Sequence, residues 1–254
     1  MEKFDYVVIG TGAGLMIAET AALNGKKCAI IEKNKFGGTC LTKGCIPSKM
    51  LVYPADMIRE AEKSNRVGLS FQPPAVDWNK ISERIWKQIN FSEIIEENFK
   101  KQNNITIFKG SGEFTSVNTM KVSFSDGTYS DEFEGDVFII ANGAKSFVPP
   151  IKHIEQTDYL IPESFFGDKF PQKPWKSLII IGGGAIGAEF AHIFSAFGTK
   201  VTIVEMRDRL LATEEEEIRF RKRETNGTKT FYKTIKRGGG LVREETEVEV
   251  TEEE

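Results

Sequence analysis

Two stretches of the chain repeat one pattern: a short apolar run, a glycine-rich turn, an apolar-periodic segment, and a second apolar run closed by glutamate. In the first, Phe4–Ile9 leads into Gly10-Thr11-Gly12-Ala13-Gly14-Leu15, a helical stretch to about Asn24, and Cys28–Ile31 ending at Glu32. In the second, Ser177–Ile181 leads into Gly182-Gly183-Gly184-Ala185-Ile186-Gly187, a helix to about Phe197, a strand Lys200–Val204, and Glu205. Continuous apolar runs bounded by glycine suit buried parallel strands, and the 3.6-residue period between them suits a crossover helix. Each stretch therefore predicts a dinucleotide-binding βαβ unit. Gly10, Gly12 and Gly14, and then Gly182, Gly184 and Gly187, are the loop candidates. The first glycine allows the tight turn, the second lets the backbone reach a pyrophosphate, and the helix N-terminus favours its charge. Leu15 stands where the third fingerprint glycine would be, which predicts looser helix–strand packing in the first unit.

Between the two units the pattern changes twice. A helix is expected from Cys40 to about Lys63, carrying Met50, Leu51, Ala55, Ile58 and Ala61/Glu62. Pro73-Pro74 then marks a break. Trp78, Ile81, Ile85, Ile89, Ile94 and Phe99 predict a second long amphipathic helix whose apolar stripe is core. Ile105–Phe108, Gly112–Thr115, Met120–Phe124 and Tyr129–Phe133 read as short strands with a hairpin turn at Asp126-Gly127, an antiparallel meander inserted into the first unit. Asp136–Ile140 returns to a buried strand that ends in Ala141-Asn142-Gly143-Ala144. Residues 145–176 are proline-rich and predict an inter-domain crossing.

After Ala212 the period becomes two. Ile218–Arg223, Thr230–Lys236 and Arg243–Val250 follow the acid run Glu214–Glu217 and predict strands with a strongly charged face. The fold class expected is α/β, with two Rossmann-like units, an inserted antiparallel meander and a charged β-rich tail. Its domains are 1–150, 151–212 and 213–254.

Composition narrows the function. The formal net charge of −3 points to neither nucleic acid nor an anionic membrane, and no apolar run is long enough to span a bilayer. The chain opens directly on a strand, with no signal-peptide pattern. Three cysteines, two of them in one short motif, argue for a reducing compartment, and the expected location is the cytoplasm. Cys28, on an apolar strand, reads as packing.

The chemistry lies in Gly37-Gly38-Thr39-Cys40-Leu41-Thr42-Lys43-Gly44-Cys45-Ile46-Pro47-Ser48-Lys49. Two thiols sit straight after a nucleotide-binding pattern, near the start of a helix, where thiol pKa is lowered. Flanking glycines let the backbone approach a planar cofactor, and Pro47 fits an early helical turn.

This motif resembles the redox helix of the class I pyridine nucleotide–disulfide oxidoreductases, most of all the dihydrolipoamide dehydrogenase and mycothione reductase branches. The resemblance covers about Phe4 to Leu211. It implies FAD on the first unit, with Gly10, Gly12, Gly14, Glu32, Lys33, Gly38, Thr39, Lys49, Ala141 and Gly143 as its binding residues. Asn142 stands where the family carries threonine. It implies NAD on the second unit, at Gly182, Gly184, Gly187 and Glu205. The acidic Glu205 favours the free 2′-hydroxyl of NAD, although Arg207 and Arg209 follow it. Cys40 would be the interchange thiol and Cys45 the thiolate over the flavin. Lys49 would stabilise charge on the reduced flavin, held by Glu189.

The implied activity is dithiol–disulfide exchange with a small-molecule or lipoyl-type substrate, without a metal. The alternatives are a mycothione- or mercuric reductase-like enzyme and a non-catalytic dinucleotide-binding fragment. Family members are homodimers. Their interface domain, with its His–Glu acid/base pair, is not matched here, since His153 and His192 fall elsewhere; weak or absent activity is expected, and the oligomeric state stays open between the family's dimer and a monomer. The tail, Glu214 to Glu254, resembles a piece of the CYTH, or triphosphate tunnel, family. That implies triphosphate and divalent-metal binding involving Arg219 and Arg221, and a chain joined from two sources.

Overall fold

β1 (Glu2–Ile9) pairs in parallel with β2 (Cys28–Ile31) in the register Tyr6–Cys28 through Ile9–Ile31, with α1 (Gly14–Leu23) as the crossover. The computed structural model describes residues 1–212 apart from Pro73 and Asp208, and the backbone of 220–225, 228–237 and 240–247. It divides into two units, one of residues 1–48 and 83–170, the other of residues 49–82 and 171–254.

In the first unit, α2 (Gly38–Thr42) and the start of α3 (Cys45–Lys63) follow β2. Most of α4 (Trp78–Lys100) belongs here too, and leads to β3 (Ile105–Phe108), β4 (Gly110–Phe114), β5 (Thr119–Phe124) and β6 (Phe133–Ile140). The six strands form one sheet in the order β3-β2-β1-β6-β5-β4, parallel over β3-β2-β1-β6 and antiparallel over β6-β5-β4. Alternation along β2 serves two cores. Cys28 and Ile30 face Val8, Ala18, Phe36 and Phe99, while Ala29 and Ile31 face Phe4, Val7, Met120, Val122 and Phe133. Cys28 is fully buried, as its packing role requires, and burial pushes its thiol up. The expected strand Tyr129–Phe133 is absent. Tyr129 only bridges to Ser123, and pairing begins at Phe133, whose ring packs edge-on to Phe4.

The proline-rich stretch is less of a bare crossing than expected. It carries α5 (Pro162–Phe165), and Phe165 and Phe166 are buried in an aromatic cluster in which Phe170 meets Trp86. Those contacts carry the first unit to residue 170 rather than 150.

In the second unit, β7 (Ser177–Ile181) and β8 (Lys200–Val204) pair in parallel, and α6 (Ala185–Ala196) connects them. Ile193, Phe194, Val201 and Ile203 are buried, but Ile179 is 68% exposed and Ile181 49%. Periodicity predicted a strand buried on both faces; among the described residues one face of this pair stays open. Residues 49–82, assigned by sequence to the first domain, belong to this unit. Ala55 and Ile58 of α3 pack on Ala196 and Phe197, and Trp78 lies against Phe194 and Phe197 while its indole N–H donates to the Pro171 carbonyl at 2.8 Å. The core stripe on α4 holds at Trp78, Ile85, Ile89 and Phe99, whereas Ile94 is half exposed.

The tail forms β9 (Phe220–Thr225), β10 (Thr228–Arg237) and β11 (Gly240–Glu247), antiparallel in the order β11-β10-β9. These match the period-two expectation as strands. The acid run Glu214–Glu217 lies outside the described residues, as do Ile218, Arg219 and the end of the third predicted strand from Val248.

Candidate functional site: two glycine loops and a dithiol

The first loop leaves β1 beside the segment that leaves β6. Ala141 N–H donates to the Ile9 carbonyl at 2.8 Å, and Gly10 N–H to the Ile31 carbonyl at 2.8 Å. Gly10 has φ +97°, and a Cβ there would lie 2.3 Å from the Ala141 oxygen. Only glycine fits both conditions. The carboxyl ends of β1 and β6 lie at the point where the strand order reverses, the place where open α/β sheets receive ligands. Asn142, Gly143 and Ala144 are exposed there.

Helix–strand packing is close in this unit rather than loose. A Cβ on Gly14 would sit 2.7 Å from Val8 Cγ1, so Gly14 does the close-packing work that Leu15 cannot. Gly38, at φ +64°, brings the start of α2 onto the same loop, with its Cβ position 2.5 Å from the Gly12 Cα. The nucleotide loop and the dithiol segment are thus in backbone contact.

The second loop repeats the arrangement. Gly182 has φ +104° and donates to the Val204 carbonyl at 2.8 Å. A Cβ on Gly187 would lie 2.0 Å from the Gly182 oxygen, whereas a Cβ on Gly184 would meet nothing within 4 Å. The one is a packing glycine and the other leaves room for a ligand. Leu211 N–H donates to the Gly183 carbonyl at 2.8 Å, tying the loop from outside, and Leu211 adopts φ +52° to do so.

Each loop is read by a glutamate at the following strand end. Glu32 accepts from Thr11 N–H (3.0 Å), Thr11 Oγ1 (2.6 Å) and Asn34 N–H (2.8 Å). Lys33 beside it is exposed. Glu205 accepts from Gly183 N–H (2.6 Å) and Arg207 N–H (2.9 Å). The Arg207 amide, followed by the Gly183 amide and the Arg207 charge, holds the Glu205 carboxyl below its usual range despite partial burial.

These features fit two dinucleotides. Neither α1 nor α6 carries a side-chain cap or an acid in its first turn, so no side chain of those turns competes with a phosphate for their amides. Thr11, Asn34 and Leu211 were not singled out from sequence. Thr11 alone carried a signal, as the one hydrogen-bonding side chain in the loop.

The dithiol segment is not one helix. Lys43, at φ −148° and ψ 7°, ends α2, and Gly44 passes close to the Thr39 carbonyl, where a Cβ would be 3.1 Å away. The Gly44 carbonyl then accepts from Ser48 N–H at 3.0 Å, which starts α3 at Cys45. Pro47 occupies the third position of α3, where no intrahelical donor is needed. Pro54 lies inside α3, where a proline removes one rung of the helix. The break brings Cys40, on α2, to the first turn of α3. Both thiols are free and exposed.

The helix-start argument predicted lowered thiols, but for Cys40 the neighbour wins. A hydrogen bond to Cys45, then burial, push the Cys40 thiol up, and only the Ile46 amide pulls it down. Replacing Cys45 with alanine removes the largest cause. In that variant the pH midpoint of Cys40 alkylation by iodoacetamide is expected to fall; an unchanged or higher midpoint would exclude the Cys45 hydrogen bond as the cause.

Lys49 lies one helical turn beyond Cys45 on α3. In the second unit its ammonium pairs with Glu189 on α6. The same two helices are pinned further along by His192 Nε2 with Asp56 (2.7 Å) and by Arg59 Nη2 donating to Ser195 Oγ (2.8 Å). The Lys49 side chain is 62% exposed, and pairs of that kind contribute at most about 1 kcal/mol. This one matters for where the ammonium is held. Among the described residues no cluster of His, Cys, Asp and Glu could hold a metal ion, and no helix is long and apolar enough to cross a membrane.

Two acid-read glycine loops with an exposed dithiol define a known architecture, and the model of the pyridine nucleotide–disulphide oxidoreductases matches residues 4–235. The chain belongs to that family. The match runs past Leu211, through β9 and most of β10. A dihydrolipoyl dehydrogenase of Acholeplasma laidlawii is 32% identical over 94% of this chain and 67% of its own length. A mycothione reductase of Mycobacterium tuberculosis is 32% identical over 80% of this chain and 44% of its own. Among solved structures, a Cu(II) complex of the HOCl-induced flavoprotein disulfide reductase RclA from Escherichia coli superposes with TM-score 0.73 at 26% identity. It covers 98% of this chain and 56% of that one. The chain thus spans about half the length of the mycothione reductase and of RclA.

Proposed function

We propose that the parent activity is FAD- and NAD-dependent dithiol–disulfide exchange on a small-molecule substrate. A lipoyl-type dithiol is favoured by the dihydrolipoyl dehydrogenase relatives, with a mycothione-type disulfide next. The observation that carries the reading is the backbone contact between the first glycine loop and the segment that holds Cys40 and Cys45.

Bound FAD would supply the two-electron carrier between the dithiol and the pyridine nucleotide. The chain's own residues do the rest. With the pair oxidised to a Cys40–Cys45 disulfide, a substrate thiolate would attack the Cys40 sulfur and break that bond, and the second substrate thiol would then displace Cys40 from the mixed disulfide, so that the substrate leaves as a disulfide and its two electrons and two protons stay on the Cys40 and Cys45 thiols. Lys49, held by Glu189, supplies positive charge one turn from Cys45. Gly10, Gly12 and the first turn of α1 receive the FAD pyrophosphate, with Glu32 on its ribose. Gly182, Gly184 and Glu205 receive NAD. The lowered Glu205 carboxyl is charged at neutral pH and disfavours a 2′-phosphate.

The tail is best assigned to the nucleotide-binding lobe. The family match reaches residue 235, and in both units a βαβ element is followed by an antiparallel meander. The triphosphate reading of the tail would be supported instead by metal-dependent triphosphate binding that is lost on changing Arg219 and Arg221. The cytoplasm suits a pair of functional free thiols.

The test is the visible spectrum of the chain reconstituted with FAD and then reduced with limited dithiol or NADH. A retained flavin spectrum that gains a long-wavelength band, the mark of a thiolate against the ring, is expected. A protein that never retains FAD would sink the proposal.

A further inference from the structure

The two glutamates at the strand ends look equivalent in sequence, but their hydrogen bonds differ. A carboxylate offers about four acceptor sites, two on each oxygen. On Glu32, Oε2 takes two donors from a single residue, Thr11 N–H at 3.0 Å and Thr11 Oγ1 at 2.6 Å, and Oε1 takes Asn34 N–H at 2.8 Å. One site remains, on Oε1. On Glu205, Oε2 takes Gly183 N–H at 2.6 Å and Oε1 takes Arg207 N–H at 2.9 Å, and the Met206 amide adds to them, so every donor is a backbone amide and none is a side chain.

The difference comes from the residue between the first two loop glycines. Thr11 is 0% exposed, so its side chain faces inward and serves only the carboxylate. Gly183 holds the corresponding place in the second loop and has no side chain to give. A Cβ there would lie 2.2 Å from Leu210 Cδ2, so that loop leaves no space for a threonine without moving Leu210.

We propose that Thr11 is the positioning and specificity-determining residue of the first nucleotide site, its hydroxyl fixing Glu32 so that it accepts one ribose hydroxyl, whereas Glu205 is held by backbone amides alone. This rests on the assignment of FAD to the first loop. Thr11 acts through Glu32 and does not itself touch the ligand. A carboxylate locked by three protein donors loses little rotamer freedom when the nucleotide arrives, which favours tight retention. The second carboxylate has no side-chain donor of this kind, as suits a nucleotide that must come and go.

The experiment measures binding of FAD and of its 2′-deoxyadenosine and 3′-deoxyadenosine analogues to the full chain, by flavin fluorescence, in the unmodified protein, Thr11→Val and Thr11→Ser. In the unmodified protein one analogue is expected to bind as FAD does and the other at least about tenfold more weakly, the usual scale of a hydrogen bond to a charged group. Thr11→Val keeps the volume and removes the hydroxyl. It should weaken FAD by a similar factor, leave the already weakened analogue where it was, and be reversed by Thr11→Ser. Equal binding of FAD by Thr11→Val and the unmodified chain overturns the proposal. So does a loss of the same size for all three ligands, which would mean general damage to the loop. An unmodified chain that binds none of the three overturns the FAD assignment and this proposal with it.

Discussion

Serine in place of either Cys40 or Cys45 is expected to lower dithiol-dependent NAD reduction by at least about a thousandfold, because no other group supplies the lost nucleophile. Both thiols are exposed, and serine is close to cysteine in size. Neither variant should therefore unfold the protein, and both should retain FAD. The two variants differ in what remains. With Cys40→Ser, the Cys45 sulfur stays at the first turn of α3, and the long-wavelength band in the presence of FAD should persist without any added reductant. With Cys45→Ser, the band should be absent at every stage of reduction, and Cys40 becomes a single thiol freed from the neighbour that holds its proton. The sign of the pH effect follows. A raised thiol is less ionised at a given pH, so removing its cause makes Cys40 more reactive near neutrality even as turnover disappears. Turnover above about a tenth of the original in either variant would exclude the pair as the exchange centre, as would a band that survives in Cys45→Ser.

What could be read from the chain was what depends on neighbours in sequence. The two glycine loops, their glutamates and the thirteen residues around Cys40 and Cys45 each carry their constraint in a contiguous stretch, and both loops lie between the strand and helix expected to flank them. The break at Lys43-Gly44 was not legible, because the apolar period that announces the helix begins only at Met50; the turn is fixed by the approach of Gly44 to the Thr39 carbonyl. Segment 49–82 was placed in the first domain by order along the chain. Its membership of the second unit rests on Ala55, Ile58 and Trp78 packing against α6, which no local pattern announces. Ile179 and Ile181 show the converse. An apolar run predicts that a strand can be buried, not that a second layer is there to bury it. Leu15 misled for a related reason, since the close approach it seemed to forbid is made one residue earlier by Gly14.

The second loop offers a way to separate glycine needed for packing from glycine needed for ligand. Gly187→Ala places a Cβ 2.0 Å from the Gly182 carbonyl oxygen, which cannot retreat freely because Gly182 N–H is bonded to the Val204 carbonyl at 2.8 Å. Either α6 shifts or the loop opens. Overpacking of this kind costs about 1–3 kcal/mol, equivalent to roughly 2–12 °C in Tm for a chain of this size. NADH-driven reduction of bound FAD should be lost with it, while FAD retention, which belongs to the first unit, should not change. Gly184→Ala makes the opposite prediction for stability. Its φ of −72° and ψ of −175° suit any residue, and its Cβ would meet nothing within 4 Å. Tm should stay within about 1 °C or rise slightly, since alanine restricts the unfolded chain. The methyl group would nevertheless stand where a pyrophosphate must approach the backbone, and NADH affinity should fall at least about tenfold. The pair is read by thermal melting beside a titration of NADH. If Gly184→Ala binds NADH as the unmodified chain does, the space over Gly184 is not a nucleotide site, and the second βαβ unit is a structural repeat of the first without its ligand.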